Sequence, residues 1–177
     1  MPELRIRPAT PDDADRIARI WWLGWHDGHT GLVPEELLAF RTQESFVPRV
    51  TAAIPRTRVA EVDGEVIGFT MQKGDEVEQV FVDAAHRGTG VAAQLLADAA
   101  REVMAAGHAV PWLGVVTGNA RAHRFYEREG WTDTGEVEYP ATTGPDSHVI
   151  VSCHRMEWHR GHFDLPGEAS DARRLDT

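Results

Sequence analysis

The sequence has little of what a secreted or membrane protein needs. It contains one cysteine, Cys153, which cannot form an intramolecular disulfide. It has no apolar run near the roughly 20 residues that a membrane-spanning helix requires. The first five residues (MPELR) already include two charged side chains, and no apolar segment like the core of a signal peptide follows them. We therefore expect a protein of the reducing cytoplasm that makes no contact with a membrane.

Positive charge is also scarce, with 18 Lys and Arg against 28 Asp and Glu, for a net charge of −10. Nucleic-acid binding requires a basic face, so this balance argues against a nucleic-acid partner. The acidic surface favours solubility, or it could attract a cationic acceptor. At 177 residues and 42% hydrophobic content, the chain has the size of one domain. We predict a single domain over residues 1–162 and a flexible polar tail over 163–177.

Hydrophobic periodicity predicts the order β, α, α, β, β, β, α, β, α, β, β. The predicted strands are 4–8, 58–62, 66–73, 76–82, 112–116, 131–139 and 148–158, and the predicted helices begin near Pro11, Pro34, Thr89 and Asn119. The strand–helix–strand order in the middle predicts one parallel pair within a mixed sheet, with antiparallel strands at both ends.

Residues 80–92 (VFVDAAHRGTGVA) run from a strand through a glycine-containing loop directly into a helix. Successive backbone N–H groups then converge at the positive end of a helix, which suits a phosphate or diphosphate. Gly88 and Gly90 permit close approach of the backbone, and Arg87 adds a fixed positive charge. The segment therefore predicts an anion site.

Residues 88–93 also fit the relaxed dinucleotide pattern G-x-G-x-x-A. In that motif the first glycine follows its strand at once, and an acidic residue ends the next strand. Here five residues, 83–87, intervene, and the next strand is followed by Thr117, Gly118 and Asn119. The dinucleotide interpretation is therefore disfavoured.

Two segments together point to an acyltransferase. Arg87-x-x-Gly90-x-Ala92 resembles the acyl-CoA signature (Gln/Arg)-x-x-Gly-x-(Gly/Ala) of the GCN5-related N-acetyltransferase (GNAT) superfamily. Residues 119–131 (NARAHRFYEREGW) resemble its segment Asn-x-x-Ala-x-x-Phe-Tyr-Glu-x-x-Gly-Phe, with Trp131 replacing the last Phe. The resemblance extends from about Arg5 to Trp158. It implies an α/β (α+β) fold with a mixed, mostly antiparallel sheet of six to seven strands, a central splayed parallel pair and about four flanking helices.

The resemblance also implies a function: transfer of an acetyl group from acetyl-CoA to a primary amine of a small molecule or peptide, by direct attack. The alternative is a noncatalytic acyl-CoA-binding sensor of the same fold, and the chain could be a monomer or a homodimer. The implied CoA ligands are the amides of Arg87, Gly88, Thr89, Gly90, Val91 and Ala92 for the diphosphate, and Phe81, Val82, Asn119 and Ala122 for the pantetheine arm. Tyr126, two helical turns after Asn119, is implied to protonate the departing thiolate.

The acceptor amine must lose a proton before it attacks. A lysine-like amine of pKa about 10.4 is neutral about once in 2,500 molecules at pH 7, a deficit of about 4–5 kcal/mol, so a carboxylate base is expected. Glu78 is the candidate, because family members often place a glutamate on this strand. Alternation puts Val77, Gln79 and Phe81 on one face and Glu78, Val80 and Val82 on the other, although a bulge could re-aim them.

The first two helices line the acceptor pocket in the family, so Trp25 and His29 are predicted to face the acceptor. Cys153 is a rival nucleophile, but a lone thiol in a late strand is expected to be inert core packing. The histidines near the C-terminus and one nearby acid lack the fixed spacing of a zinc site, namely His154, His159, His162 and Asp164. We therefore predict that no metal is required.

Overall fold

The computed structural model describes residues 2–159, in which seven strands and five α-helices form one mixed sheet with helices on both faces. The strands are β1 (Arg5–Pro8), β2 (Thr57–Val62), β3 (Glu65–Lys73), β4 (Glu76–Val82), β5 (Trp112–Val116), β6 (Thr132–Gly144) and β7 (Ser147–Glu157). The helices are α1 (Ala14–His29), α2 (Glu35–Leu38), α3 (Gln43–Ala53), α4 (Val91–Ala105) and α5 (Ala120–Arg128). None of these five helices is long and apolar enough to cross a membrane. The tail predicted over 163–177 lies outside the described residues.

The strand order is β1-β2-β3-β4-β5-β7-β6, and every neighbouring pair is antiparallel except β4 and β5. The parallel pair is joined at a single register position, Glu76 opposite Trp112. Beyond this position the two strands diverge toward their C-terminal ends. The predicted mixed sheet with a splayed central pair is confirmed.

Helices α1, α2 and α3 cover one face of the sheet, and α4 and α5 cover the other. On the first face Trp21 packs edge-on against Phe46 and Phe69, with ring centroids 5.1 and 6.0 Å apart. On the second face α4 buries a stripe that includes Leu95 and Leu96. Both faces of the sheet are therefore covered by apolar clusters at the centre, and the gap between β4 and β5 opens the sheet.

Helix α3 has no counterpart among the predicted elements. Pro48 lies inside it, and an interior proline normally argues against a helix because it removes a backbone hydrogen bond. The fully buried side chains of Phe46, Val50 and Ala53 nevertheless recur at helical spacing and pack into the α1 face of the core. The packing of these three side chains therefore outweighs the cost of Pro48 to the helix.

The predicted alternation along β4 is wrong. Met71 of β3 pairs with Gln79, and the next residue, Gln72, pairs with Val77, so Glu78 is an extra residue without a partner on β3. This β-bulge shifts the pleat by one residue. As a result Val77 and Val80 pack into the same core beside α4, whereas Phe81 packs on the α1 side.

Candidate active site

A cleft of about 1020 Å³ opens where β4 and β5 diverge. Its walls come from α1, β4, the start of α4, β5, α5 and β6. The fold brings most of the predicted site residues to this one cleft: Trp25, His29, Glu78, Phe81, Val82, Arg87, Gly88, Gly90, Ala92, Asn119, Ala122 and Tyr126. Of the predicted set, only Thr89 and Val91 do not line it.

The loop between β4 and α4 presents free backbone donors at the mouth of the cleft. Gly88 and Gly90 adopt φ of +75° and +86°, a left-handed region that favours glycine. Within residues 2–159, none of the N–H groups from 88 to 92 has a protein acceptor. The Arg87 N–H is already used, because it lies 3.4 Å from the Ala84 carbonyl oxygen. The loop can therefore offer five N–H groups to an anion at the start of α4.

Thr89 and Val91 stabilise this loop instead of lining the cleft. The Thr89 hydroxyl donates to the His86 carbonyl oxygen at 2.5 Å. Val91 is buried in a cluster with Val82 and Leu95, which fixes the first turn of α4 against the sheet. Both residues can still contribute their backbone N–H groups to the anion site.

Arginine side chains surround the mouth of the cleft, although the chain as a whole is acidic. Arg87 donates to the Asp27 carboxylate of α1 at 2.9 Å, so part of its charge is already compensated. Arg121, Arg124 and Arg128 follow one another along α5 at spacings of three and four, and all three are exposed and line the cleft. This helical spacing is visible in the sequence, and the prediction missed it. The arrangement suits a polyanionic ligand.

Asn119 connects two walls of the cleft. Its side-chain oxygen accepts from the Ala122 N–H at 3.2 Å and caps α5. Its amide nitrogen donates to the Gly28 carbonyl oxygen near the end of α1, at 3.3 Å. Asn119 therefore holds α5 and α1 together beside the diverging strands.

Beyond Glu76, the edge of β4 that faces β5 has no strand partner among the residues that the structure describes. Such an edge exposes backbone donors and acceptors that an extended chain of amides can pair with. On the α1 side Gly24 approaches this strand closely, since a Cβ built there would lie 2.5 Å from Cδ1 of Phe81. The close approach explains a glycine inside a helix at this position.

Tyr126 lies on α5 and lines the cleft beside Phe125, with ring centroids 5.2 Å apart. Burial raises the pKa of its phenol to about 12. No residue of the described part of the chain forms a hydrogen bond with its hydroxyl group. The hydroxyl therefore stays protonated at neutral pH and is available to a ligand.

Glu78 points toward the α3 side, where it forms an ion pair with Arg56. Glu76, two residues earlier, accepts a 2.6 Å hydrogen bond from the Tyr139 hydroxyl of β6, and burial raises the pKa of its carboxyl group. Both carboxylates and the Tyr139 ring line the cleft. The prediction missed the Glu76–Tyr139 pair because it joins residues 63 positions apart in the chain.

Trp25 and His29 form the wall contributed by α1. Their rings stack with centroids 4.6 Å apart and planes within 5°. Nδ1 of His29 lies 2.8 Å from the Trp25 carbonyl oxygen, so it carries the proton and donates it there, and Nε2 is left as an acceptor. Burial chiefly lowers the pKa of His29 to about 4, which keeps the imidazole neutral at pH 7.

Two arginines also line the end of the cleft formed by Trp25 and His29: Arg41, just before α3, and Arg49, within α3. The sequence analysis did not predict either of them. Arg41 is 4% exposed, donates to the Thr142 carbonyl oxygen at 2.8 Å and lies over the Trp25 ring, yet its Nε has no hydrogen-bond partner among residues 2–159. Arg49 stacks on Trp21 at 4.7 Å, and its buried Nη1 likewise has no partner in the described part of the chain. Within residues 2–159 neither guanidinium group forms a salt bridge. Burial lowers the pKa of both groups, since it costs free energy to desolvate their charge.

Cys153 is buried and lines the cleft from β7. Burial, with a smaller contribution from Glu76, raises the pKa of its thiol to about 11. The group is therefore a protonated thiol at neutral pH, which is a poor nucleophile.

Comparison with known proteins points to one family and one fold. Residues 14–131 match the model of the acetyltransferase (GNAT) family. An uncharacterized N-acetyltransferase of Archaeoglobus fulgidus is 28% identical over 138 residues, which cover 70% of this chain and 89% of that protein. The PaiA N-acetyltransferase of Thermoplasma acidophilum, solved in complex with coenzyme A, superposes with a TM-score of 0.64 at 16% identity and covers 89% of this chain and 99% of its own. YncA of Salmonella typhimurium, solved with its cofactor acetyl-CoA, superposes with a TM-score of 0.64 at 21% identity and covers 96% and 99%.

Proposed function

The chain belongs to the GNAT family of acetyltransferases, and on that premise we propose that it transfers the acetyl group of acetyl-CoA to a primary amine of a small molecule or peptide. The observation that carries the proposal is the single cleft that joins free N–H groups at Gly88–Ala92 to Glu78 and Tyr126. Two proteins of the same fold were solved with coenzyme A and with acetyl-CoA.

In the proposed complex the N–H groups of Gly88, Thr89, Gly90, Val91 and Ala92 hold the diphosphate, with Arg87 beside them. The free edge of β4 at Phe81 and Val82 pairs with the pantetheine arm, and Asn119 and Ala122 border it from the other wall. This binding mode directs the thioester into the gap between β4 and β5.

Transfer is proposed to be direct. Glu78 accepts the proton of the acceptor ammonium, and the neutral nitrogen attacks the thioester carbon. As the new C–N bond forms and the C–S bond breaks, the Tyr126 hydroxyl donates its proton to the departing thiolate. Its raised pKa keeps that proton in place until the thiolate forms. The second proton that the amine nitrogen loses in becoming an amide then restores the neutral phenol.

We further propose that the acceptor carries a carboxylate or another anionic group besides its amine. Arg41 and Arg49 hold buried N–H groups without partners at the end of the cleft that also contains Trp25 and His29. An unpaired buried charge is costly, and a ligand anion would compensate it. The net charge of the chain favours a cationic acceptor at long range, but these two local charges favour an anion within the pocket.

The proposed reaction is tested by following CoA release from acetyl-CoA over a panel of amines. Wild-type protein should turn over, and Tyr126→Phe should lower kcat about 100-fold or more while acetyl-CoA still binds. Binding of acetyl-CoA with no turnover on any amine, and no effect of Tyr126→Phe, would favour the noncatalytic sensor.

The acceptor class is tested with matched pairs, each an amino acid and its carboxamide. Wild-type protein should prefer the carboxylate form, and Arg49→Gln should reduce the ratio of the two kcat/KM values about 10–100-fold, the worth of a charge-assisted hydrogen bond. Arg19→Gln, on the exposed side of α1, is the control and should keep the wild-type ratio. Equal kcat/KM for both forms in the wild type would refute the anionic acceptor.

A further inference from the structure

Outside the cleft, two histidines and an aspartate converge from three elements. His123 lies on α5, Asp133 on β6 and His154 on β7. Nε2 of His123 and Nδ1 of His154 each lie 2.8 Å from the same oxygen, Oδ2 of Asp133. All three atoms lie within 4.8 Å of one another, and none of the three residues lines the cleft.

The backbone around Asp133 is shaped to aim its carboxylate at both rings. The pairing of β6 with β7 skips one residue between Asp133 and Gly135, and Gly135 adopts φ of +118°, which favours glycine. Its N–H donates to Oδ1 of Asp133 at 2.8 Å. Because Oδ1 is occupied in this way, Oδ2 is the oxygen that faces the two imidazoles.

The outer nitrogen of each ring also has a carboxylate nearby. Nδ1 of His123 lies 3.5 Å from Oε2 of Glu127, and Nε2 of His154 lies 3.6 Å from Oε1 of Glu136. Histidines that ligate a metal usually donate the proton of the other ring nitrogen to such a group, which orients the ring and strengthens the ligand. Each imidazole thus has a carboxylate near its outer nitrogen, close enough to accept a hydrogen bond after a small side-chain rotation.

We propose that His123, Asp133 and His154 bind a divalent transition-metal ion of the zinc type. Two imidazole nitrogens and one carboxylate oxygen suit Zn²⁺, with water completing the coordination. On binding, the proton of each inner ring nitrogen is exchanged for one on the outer nitrogen, which keeps it and points it toward Glu127 or Glu136, and the lone pair freed on the inner nitrogen binds the metal. The imidazoles stay neutral, so the ion requires no net loss of protons from them.

A bound ion would join α5 to the sheet. His123 precedes Tyr126 by one helical turn on α5, so the ion braces the helix that carries Tyr126 without touching the cleft. In this proposal the ion supports the structure and takes no part in acetyl transfer. The sequence does not reveal this cluster, because the neighbours of His154 in the chain are not its partners in the fold. His154 instead meets Asp133 and His123, which lie 21 and 31 positions earlier in the chain.

The proposal is tested by calorimetric titration of Zn²⁺ into full-length protein treated with a chelator. Wild-type protein should bind one tight ion per chain, and His154→Gln or Asp133→Asn should weaken binding by more than about 100-fold. Glu127→Gln and Glu136→Gln should each weaken it about 10-fold, as the loss of an outer partner does. His148→Gln, exposed on the same strand as His154, is the matched control and should bind like the wild type.

A second measurement does not depend on the folding of any variant. In wild-type protein, the ring resonances of His123 and His154 should shift together on addition of one equivalent of Zn²⁺, while those of His148 stay in place. Zinc affinity unchanged in folded Asp133→Asn, the absence of a tight site in the wild type, or ring shifts confined to other histidines would each overturn the proposal.

Discussion

The stability of the protein should depend on pH through His29. Burial against Trp25 lowers the pKa of its imidazole to about 4, whereas the imidazole in the unfolded chain titrates near 6.5. Between these two values the unfolded state binds more protons than the folded state. The free energy of unfolding contributed by this residue must therefore fall as the pH drops from about 6.5 toward 4, and it is constant above that window.

The size of the effect follows from the two pKa values. A difference of about 2.5 pKa units lowers the free energy of unfolding by about 3 kcal/mol once the pH lies below both pKa values. Between pH 7 and pH 5 the loss is about 2 kcal/mol. Urea unfolding at these two pH values measures it. Wild-type protein should lose about 2 kcal/mol more than His29→Phe, which keeps an aromatic ring on Trp25 but cannot be protonated.

Titrating groups far from His29 contribute equally to both proteins, so the comparison isolates His29 together with its coupling to Arg41 and His26. His148→Gln is the control, because His148 is exposed, and it should follow the wild type at both pH values. If wild type and His29→Phe lose the same free energy between pH 7 and pH 5, the half-buried, neutral imidazole stacked on Trp25 is refuted.

Three further changes test other parts of the account. Gly24→Ala should lower the free energy of unfolding by about 1–3 kcal/mol, because the new Cβ would lie 2.5 Å from the Phe81 ring; a gain, as at an open helical glycine, would contradict that close packing. Glu78→Gln should lower kcat about 100-fold at pH 7, with a deficit that shrinks as the pH approaches the pKa of the acceptor amine, and the same deficit at every pH would argue against a base. Cys153→Ala should retain wild-type turnover in the CoA-release assay, since its thiol has a pKa of about 11, and a collapse of turnover in folded protein would indicate a covalent intermediate.

The parts of the fold that depend on local sequence were predictable. The glycine loop at 88–90 and the helix that follows are set by adjacent residues, because left-handed backbone and free N–H groups at a helix start need no distant partner. The splayed strand pair followed from the family resemblance, and the single register position between β4 and β5 agrees with it.

The parts that depend on distant pairing were not predictable in the same way. The bulge at Glu78 exists because β3 pairs with β4 in a particular register, and no pattern within 76–82 fixes that register. The charges at the end of the cleft beside Trp25 come from Arg41 and Arg49, which reach the cleft only once α3 packs on the sheet. Helix α3 itself was obscured by Pro48, although its buried residues keep a helical spacing.

The central claim is that the N–H groups at the start of α4 and the gap beside β4 receive acetyl-CoA. Calorimetric titration of acetyl-CoA into the folded wild-type chain tests this claim most directly. We predict saturable heat at one molecule per chain, weakened by rising salt because the ligand is held by its phosphates. Folded protein that gives no heat with acetyl-CoA or with longer acyl-CoA would contradict it.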